Sequence, residues 1–404
     1  VTTSHIARGI ARLGPINSWA LSSTRIRALV CGGTSKREDV LSDRPFPLNQ
    51  IYFYLTEGCN LACRHCWLGP RYDPEGTRYP TLPISLFEKI IHEAKILGLR
   101  AVKLTGGEPL LNPDFLLMLE VIHREGLGLT VETNGTLCTP EHAAAIQATS
   151  ERSFVSVSLD GVDAGTHDQI RGMLGAFAAT VRGIGYLVDA GLKPQLIFTV
   201  MKSNRGQVES IVRLAECLGA GSVKYNIVQP IARGENLHNK EETLTIEELV
   251  SLGRFVETVV SARTSLRIDY SHPAVFKPLE RIAADQGCGV CGVKGILGVL
   301  ASGTYALCGI GEHIEELTFG HVATDSLRTI WECDPVLTRI RQGLPAELGG
   351  VCGSCLMKKI CLGNCIAQNY YRMGDLMANY WYCEEAAAAG LFPQSRVYEG
   401  SVHA

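Results

Sequence analysis

The chain has 404 residues, a formal net charge of −3 and an apolar fraction of 46%. That length holds one large domain plus a smaller one, and the apolar fraction is ample for a buried core, which excludes wholesale disorder. The charge balance points to no nucleic-acid or membrane partner, and the apolar runs stop short of the ~18–20 residues that cross a bilayer.

Residues 1–46 read as an N-terminal extension. Residues 1–19 include Arg8 and Arg12 but no long apolar stretch with a small-residue cleavage site, so a cytoplasmic location is expected. Arg8, Arg12, Arg25 and Arg27 read as a solvated face. From about residue 50 to 230, short apolar runs alternate with helical periods. Residues 50–55, 101–104, 127–132, 154–159, 195–200 and 222–228 read as buried strands. The segments 85–97, 113–124, 176–190 and 205–218 carry helical spacing between them. This rhythm predicts βα units on a parallel sheet. Six units are two short of a full barrel, so the expected fold is α/β, a partial (β/α)6 TIM barrel with its chemistry at the C-terminal strand ends. A helix over 245–262 ends the pattern. From about 263 glycines and cysteines become frequent and periodicity weakens, as in a domain held by metal clusters. The expected organisation is an extension over 1–46, a barrel over 47–262 and a cysteine-rich domain over 263–404.

Fifteen cysteines are the anomaly. A disulfide framework belongs to short exported chains, so clustered cysteines in this long one are expected as metal ligands. Cys59, Cys63 and Cys66 follow the first strand with the spacing CxxxCxxC. Iron–sulfur clusters are held by cysteine thiolates, four to a [4Fe–4S] cube. Three on one loop leave one iron open. Structural zinc, the competing metal, closes with four protein ligands.

CxxxCxxC directly after the first strand resembles the signature of the radical S-adenosylmethionine (SAM) superfamily. The resemblance implies that the SAM amino and carboxylate groups chelate the open iron. One-electron reduction then yields a 5′-deoxyadenosyl radical that takes a hydrogen atom from the substrate. Further strand ends match the same family. Gly106, Gly107 and Glu108 resemble the GGE motif that receives the SAM amino group, with glycines allowing close backbone approach. Thr133 and Asn134, then Ser158 and Asp160, are implied to line the ribose and methionine side of SAM. Arg171, in His167-Asp168-Gln169-Ile170-Arg171-Gly172, is implied to pair with the SAM carboxylate. Thr199 and Asn204 are weaker matches. Gly183-Ile184-Gly185 lacks both the preceding strand and the third glycine of a dinucleotide fingerprint.

The last third carries Cys352, Cys355, Cys361, Cys365 and Cys383, preceded by Cys288, Cys291 and Cys308. This ordered set resembles the SPASM domain of radical SAM enzymes that modify peptides and proteins. A zinc ribbon needs its CxxC pairs roughly 15–20 residues apart, far closer than these. By the family's interleaved pattern, auxiliary cluster I takes Cys288, Cys291, Cys308 and Cys365, and cluster II takes Cys352, Cys355, Cys361 and Cys383. The implied cofactors are three [4Fe–4S] clusters and SAM. Cys31, Cys138, Cys217 and Cys333 are left as small buried residues.

Sulfatase-maturing relatives carry an acidic base immediately after the cysteine that matches Cys308. Here that place is Gly309, which disfavours formylglycine formation. The segment at Cys66-Trp67 and the ending 390–396 resemble maturases of ribosomally made peptides, among them the SPASM proteins of the SynChlorMet cassettes. The resemblance therefore implies hydrogen abstraction from a peptide residue and oxidation to a crosslink or related bond. Oxidation or rearrangement of a small molecule in cofactor biosynthesis is the alternative, and a plain iron–sulfur electron carrier has no use for a SAM site. The implied partners are a peptide, presented with or without a separate leader-binding protein, and a flavodoxin- or ferredoxin-type electron donor. No residue is assigned as catalytic acid or base. Tyr225, Asp269, Tyr270 and His272 read as core or surface positions.

Overall fold

The computed structural model describes residues 46–284 and 291–398. The expectations for the extension, for Cys31 and for Cys288 lie outside the described residues.

Alternation sets the sheet. Its strands are β1 (Gln50–Tyr54), β2 (Ala101–Thr105), β3 (Gly128–Thr133), β4 (Phe154–Ser158), β5 (Gln195–Val200) and β6 (Ser222–Ile227). They are followed by β7 (Arg267–Tyr270), β8 (Ile296–Val299), β9 (Thr304–Ala306) and β10 (Thr318–His321). All ten form one sheet in the order β10-β9-β8-β1-β2-β3-β4-β5-β6-β7. The run from β8 to β7 is parallel throughout, and β9 and β10 are antiparallel at one edge. The βα rhythm is thus as the sequence predicts, and β7 and β8 extend the parallel sheet on either side of the six units. Both lie beyond residue 262, so the sheet runs across the boundary drawn from composition.

On the central strands Val102 and Leu104, Leu129 and Val131, Val155 and Val157, and Leu196 and Phe198 are buried in one apolar core with helix residues such as Phe87, Met118 and Ile211. Those helices are α1 (Ile84–Ile96), α2 (Phe115–Arg124), α3 (Pro140–Thr149), α4 (Ala164–Arg171), α5 (Ala176–Asp189) and α6 (Val208–Cys217). The intervening strand residues, among them Glu132, Ser158, Gln195, Thr199 and Lys224, face a cavity. Period two sends apolar side chains outward to the helices and polar ones inward.

Helix starts carry their own signals. Asp163 caps α4 by accepting from the Thr166 N–H at 2.8 Å, and Thr139 caps α3 ahead of Pro140. The helix expected over 245–262 is a capped helix, α7 (Ile246–Phe255), continued by a π-helical turn at Val256–Val260. Gly183, inside α5, sits where an added Cβ would lie 2.1 Å from the Gly135 carbonyl oxygen, so it serves close packing of helix on loop. Among the described residues no helix is long and apolar enough to cross a membrane.

Candidate functional site

The loop after β1 is held from below and from the side. Gly58–Cys59 pairs with Arg71–Tyr72 as a two-residue ladder. The Ala62 and Arg64 N–H groups donate to the carbonyls of Arg171 and Ile170 at 3.1 and 3.0 Å, tying the loop to the end of α4. Arg233 Nη1 donates to the Cys63 carbonyl at 3.1 Å. Cys59 and Cys63 are buried and Cys66 is half-buried, grouped with Leu61, Ala176 and Met173.

The strand ends converge on that loop. The Gly107 N–H donates to Thr56 O, and the Glu108 N–H to Gly58 O. A Cβ on Gly107 would sit 1.7 Å from the Gly58 oxygen, so only glycine permits this approach. A cavity of about 920 Å³ opens here, and the trio lines it together with Gly106 and Gly107. Thr133, Asn134, Ser158, Arg171 and Thr199 line the same cavity.

Three residues expected at SAM are buried and bonded within the protein. Glu108 is fully buried, and its carboxylate accepts from Thr133 Oγ1 at 2.6 Å, the Asn134 N–H at 2.8 Å and the Leu110 N–H at 3.2 Å. It holds the end of β3 against β2 and does not reach the cavity. Burial pushes its pKa up to about 7, against those hydrogen bonds. Asp160 is also fully buried: Oδ2 meets Arg171 Nη2 at 2.7 Å and Oδ1 accepts the Thr199 N–H at 2.7 Å. Burial raises this carboxyl, but Arg171 and His65 outweigh it and hold it below the usual range. Asn204 donates to the carbonyls of Asp160 and Thr199 and is wholly buried. Spacing could not distinguish a carboxylate aimed at a ligand from one aimed at its own scaffold.

Several observations fit the groups implied for this site. Arg171 lines the cavity, yet its Nε is buried with no hydrogen-bond partner among the described residues, as is His65 Nδ1. Nowhere among the described residues do three His, Cys, Asp or Glu side chains converge as one metal ion requires. Zinc holds its thiolates at about 2.3 Å, whereas a four-iron cube spreads them more widely.

The later cysteines form two groups. Cys291, Cys308 and Cys365 also line the large cavity, together with the trio. Burial pushes the Cys291 thiol up to about 12 and Cys308 higher still, so their thiolates need a cationic partner. Cys365 caps the helix Ile366–Met373. Cys352, Cys355, Cys361 and Cys383 line a second, small cavity with Lys358 and Phe392. There Cys352 Sγ accepts the Tyr380 N–H at 3.5 Å and Cys355 Sγ the Met357 N–H at 3.3 Å. Of the remaining cysteines Cys138 is buried and Cys333 half-buried, while Cys217, expected inside, is exposed at the end of α6.

Tyr225 is a core residue, its hydroxyl donating to Val208 O at 2.6 Å. Asp269, Tyr270 and His272 all reach the cavity wall. Sequence reasoning missed Lys224, Asn226, Arg233 and Lys277 on that wall. The polar residues between Val223, Tyr225 and Ile227 were the available signal for the first two. A Cβ on Gly309 would meet the Tyr54 and Leu68 side chains at 2.5 Å, so a larger residue there would require them to shift.

Comparison with known proteins agrees with this geometry. Residues 53–215 match the Radical SAM superfamily. The chain is 31% identical to an AdoMet-dependent heme synthase of Methanosarcina barkeri, over 82% of this chain and 95% of that one. It is 31% identical to mycofactocin maturase MftC of Mycobacterium ulcerans, over 78% of this chain and 82% of that one. The fold matches Streptococcus suis SuiB bound to precursor peptide SuiA with a TM-score of 0.67 and 18% identity, covering 89% of this chain and 86% of SuiB. The chain belongs to the radical SAM superfamily, as an enzyme related both to SPASM-containing peptide maturases and to AdoMet-dependent heme synthases.

Proposed function

We propose that this enzyme abstracts a hydrogen atom from a residue of a ribosomally made peptide and forms an oxidised product such as a crosslink. One observation carries the reading: Cys59, Cys63 and Cys66 line the same cavity as Cys291, Cys308 and Cys365. A substrate in that cavity lies between the site of radical generation and a second site able to accept an electron. The first trio would hold the SAM-binding cluster, which supplies a 5′-deoxyadenosyl radical when reduced.

The chain's own residues have separable roles in this reading. Gly106 and Gly107 bring backbone close to the SAM amino group, and Arg171 on the cavity wall pairs with its carboxylate. Asp160 fixes the Arg171 fork from behind, and Thr133, Asn134, Ser158 and Thr199 supply polar contacts. Cys288, Cys291, Cys308 and Cys365 would ligate auxiliary cluster I, and Cys352, Cys355, Cys361 and Cys383 cluster II. Residues 47–262 are then the SAM-binding part and 263–404 the auxiliary-cluster part. The lack of an acidic side chain at Gly309 argues against a sulfatase-maturase-type base.

The peptide reading draws support from MftC and from SuiB bound to its precursor peptide. Oxidation of a small molecule is the second reading, favoured by the heme synthase relatives. Anaerobic reduction with SAM, followed by chromatography for 5′-deoxyadenosine and mass spectrometry of a peptide encoded beside the gene, tests the proposal. A peptide lighter by two hydrogens is expected. Deoxyadenosine with every such peptide unchanged would sink the peptide reading.

A further inference from the structure

Among the described residues, one cation on the wall of the large cavity has no carboxylate within 4.0 Å. β6 turns Val223, Tyr225 and Ile227 into the core and Lys224 and Asn226 towards the cavity. The two acids of the cavity wall are already engaged. Glu132 accepts from Lys103 Nζ at 2.8 Å, and Asp269 lies 3.1 Å from Arg267 Nε. The other basic groups there are also occupied: Arg171 by Asp160 and Lys277 by Glu257, while Arg233 donates to backbone carbonyls.

Lys224 feels both acids, yet among the described residues no carboxylate comes within 4.0 Å of its Nζ and no hydrogen bond reaches it. The two acids offset only part of the desolvation of this half-buried ammonium, which keeps hydrogen-bonding capacity directed at the cavity. Asn226 stands two residues further along the same wall. Its Oδ1 accepts from Ser271 Oγ at 3.0 Å, which leaves the amide Nδ2 as a second donor. An ammonium and an amide on one wall make a carboxylate cradle. Lys224 registers with Ile197 and Asp269, mid-strand, below the strand ends that carry the trio.

We propose that Lys224, with Asn226 beside it, anchors a carboxylate of the substrate deep in the barrel, so that the substrate is an anion that enters carboxylate first. The inference rests on the reading of this cavity as the substrate site. The carboxylate is either that of an acidic peptide or that of a small molecule, and the experiment separates them.

Cluster-loaded, SAM-bound enzyme is treated with an amine-acetylating reagent, and modification of Lys224 is followed by mass spectrometry. A glutamate-containing peptide is compared with its glutamine counterpart, and a carboxylated porphyrin with its methyl ester. Protection of Lys224 at least threefold by one acid, and not by its neutral counterpart, is expected and identifies the source. No protection by either acid, or equal protection by the neutral forms, overturns the proposal. For the protecting acid, Lys224→Met should weaken binding about tenfold and Lys224→Arg should retain most of it. Unchanged SAM binding in both variants reports an intact fold, and equal affinity in the two variants also overturns the anchor. Deoxyadenosine formed on reduction of the same samples tests the radical reaction separately, so either idea can fail without the other.

Discussion

Gly107 is the tightest point of the site. Its missing Cβ lets the end of β2 lie against the cysteine loop: an added Cβ would sit 1.7 Å from the Gly58 carbonyl oxygen. Gly107→Ala should push that loop away and lower iron content by about four atoms per chain, one cube's worth, while the C-terminal cysteines load normally. Iron analysis with electron paramagnetic resonance would check this; full loading would contradict it. Glu108 invites a subtler test. Three donors point at its two oxygens, so Glu108→Gln brings an NH₂ against an N–H or a hydroxyl. Leaving one buried donor unmet costs about 1–3 kcal/mol, readable as a lower denaturation midpoint of the apoprotein. Both residues were visible in the motif. That one serves by having no side chain and the other by facing away from the cavity was not, because a motif records residue type and not direction.

At the scale of elements, the π-helical turn Val256–Val260 deserves a test because it delivers Glu257 into a buried charge cluster. Glu257 Oε1 lies 2.7 Å from Lys277 Nζ and 3.2 Å from His272 Nε2. Burial raises the Glu257 carboxyl, but His272 and Lys277 outweigh it and hold the pKa below its usual value. Burial likewise lowers His272, against the pull of Glu257. Both shifts have one sign for stability. The histidine contribution is complete above its unfolded value, near 6.5, and is lost as pH falls below it. The glutamate contribution is complete above about 4.5 and is lost as pH falls through the depressed native pKa. This pair should therefore contribute a loss of stability as pH falls below about 6.5 and a further loss below about 4.5. Glu257→Gln removes the carboxylate that pulls the His272 pKa up, so it should steepen the fall below about pH 6.5, abolish the part lost below about 4.5, and cost about 3–5 kcal/mol at pH 7 by stranding Lys277. Denaturant titrations at several pH values measure both, and an unchanged slope in the variant would refute the assignment. The helical spacing of 245–262 was legible; the π turn inside it was not, since an inserted residue leaves the apolar pattern nearly intact.

For the whole molecule, the two ends of the chain's chemistry are stabilised by different means. The apolar core is continuous from the barrel to Tyr382 and Phe392, but helices Gly350–Ser354 and Lys358–Cys361 at its edge are one turn each and far too short to stand without tertiary support. Anaerobic chelation of iron should therefore open the segment around Cys352–Cys383 to protease first and leave the barrel strands protected. Mass spectrometry of limited digests decides this, and cleavage beginning among β1–β6 would count against it. The sequence by itself determined the βα rhythm, the loop of Cys59, Cys63 and Cys66 and the ordered later cysteines. Those features are local: alternation of period two, helical spacing and short ligand runs survive in one dimension. Only the tertiary structure decided that Cys291, Cys308 and Cys365 share a cavity with the first trio while Cys352, Cys355, Cys361 and Cys383 line another. It also decided that β7 and β8 flank the six units, that Glu108 and Asp160 are bonded within the scaffold, and that among the described residues no carboxylate pairs with Lys224. Each of these depends on which groups from distant parts of the chain meet across the barrel, and sequence spacing carries no record of the distance between strands.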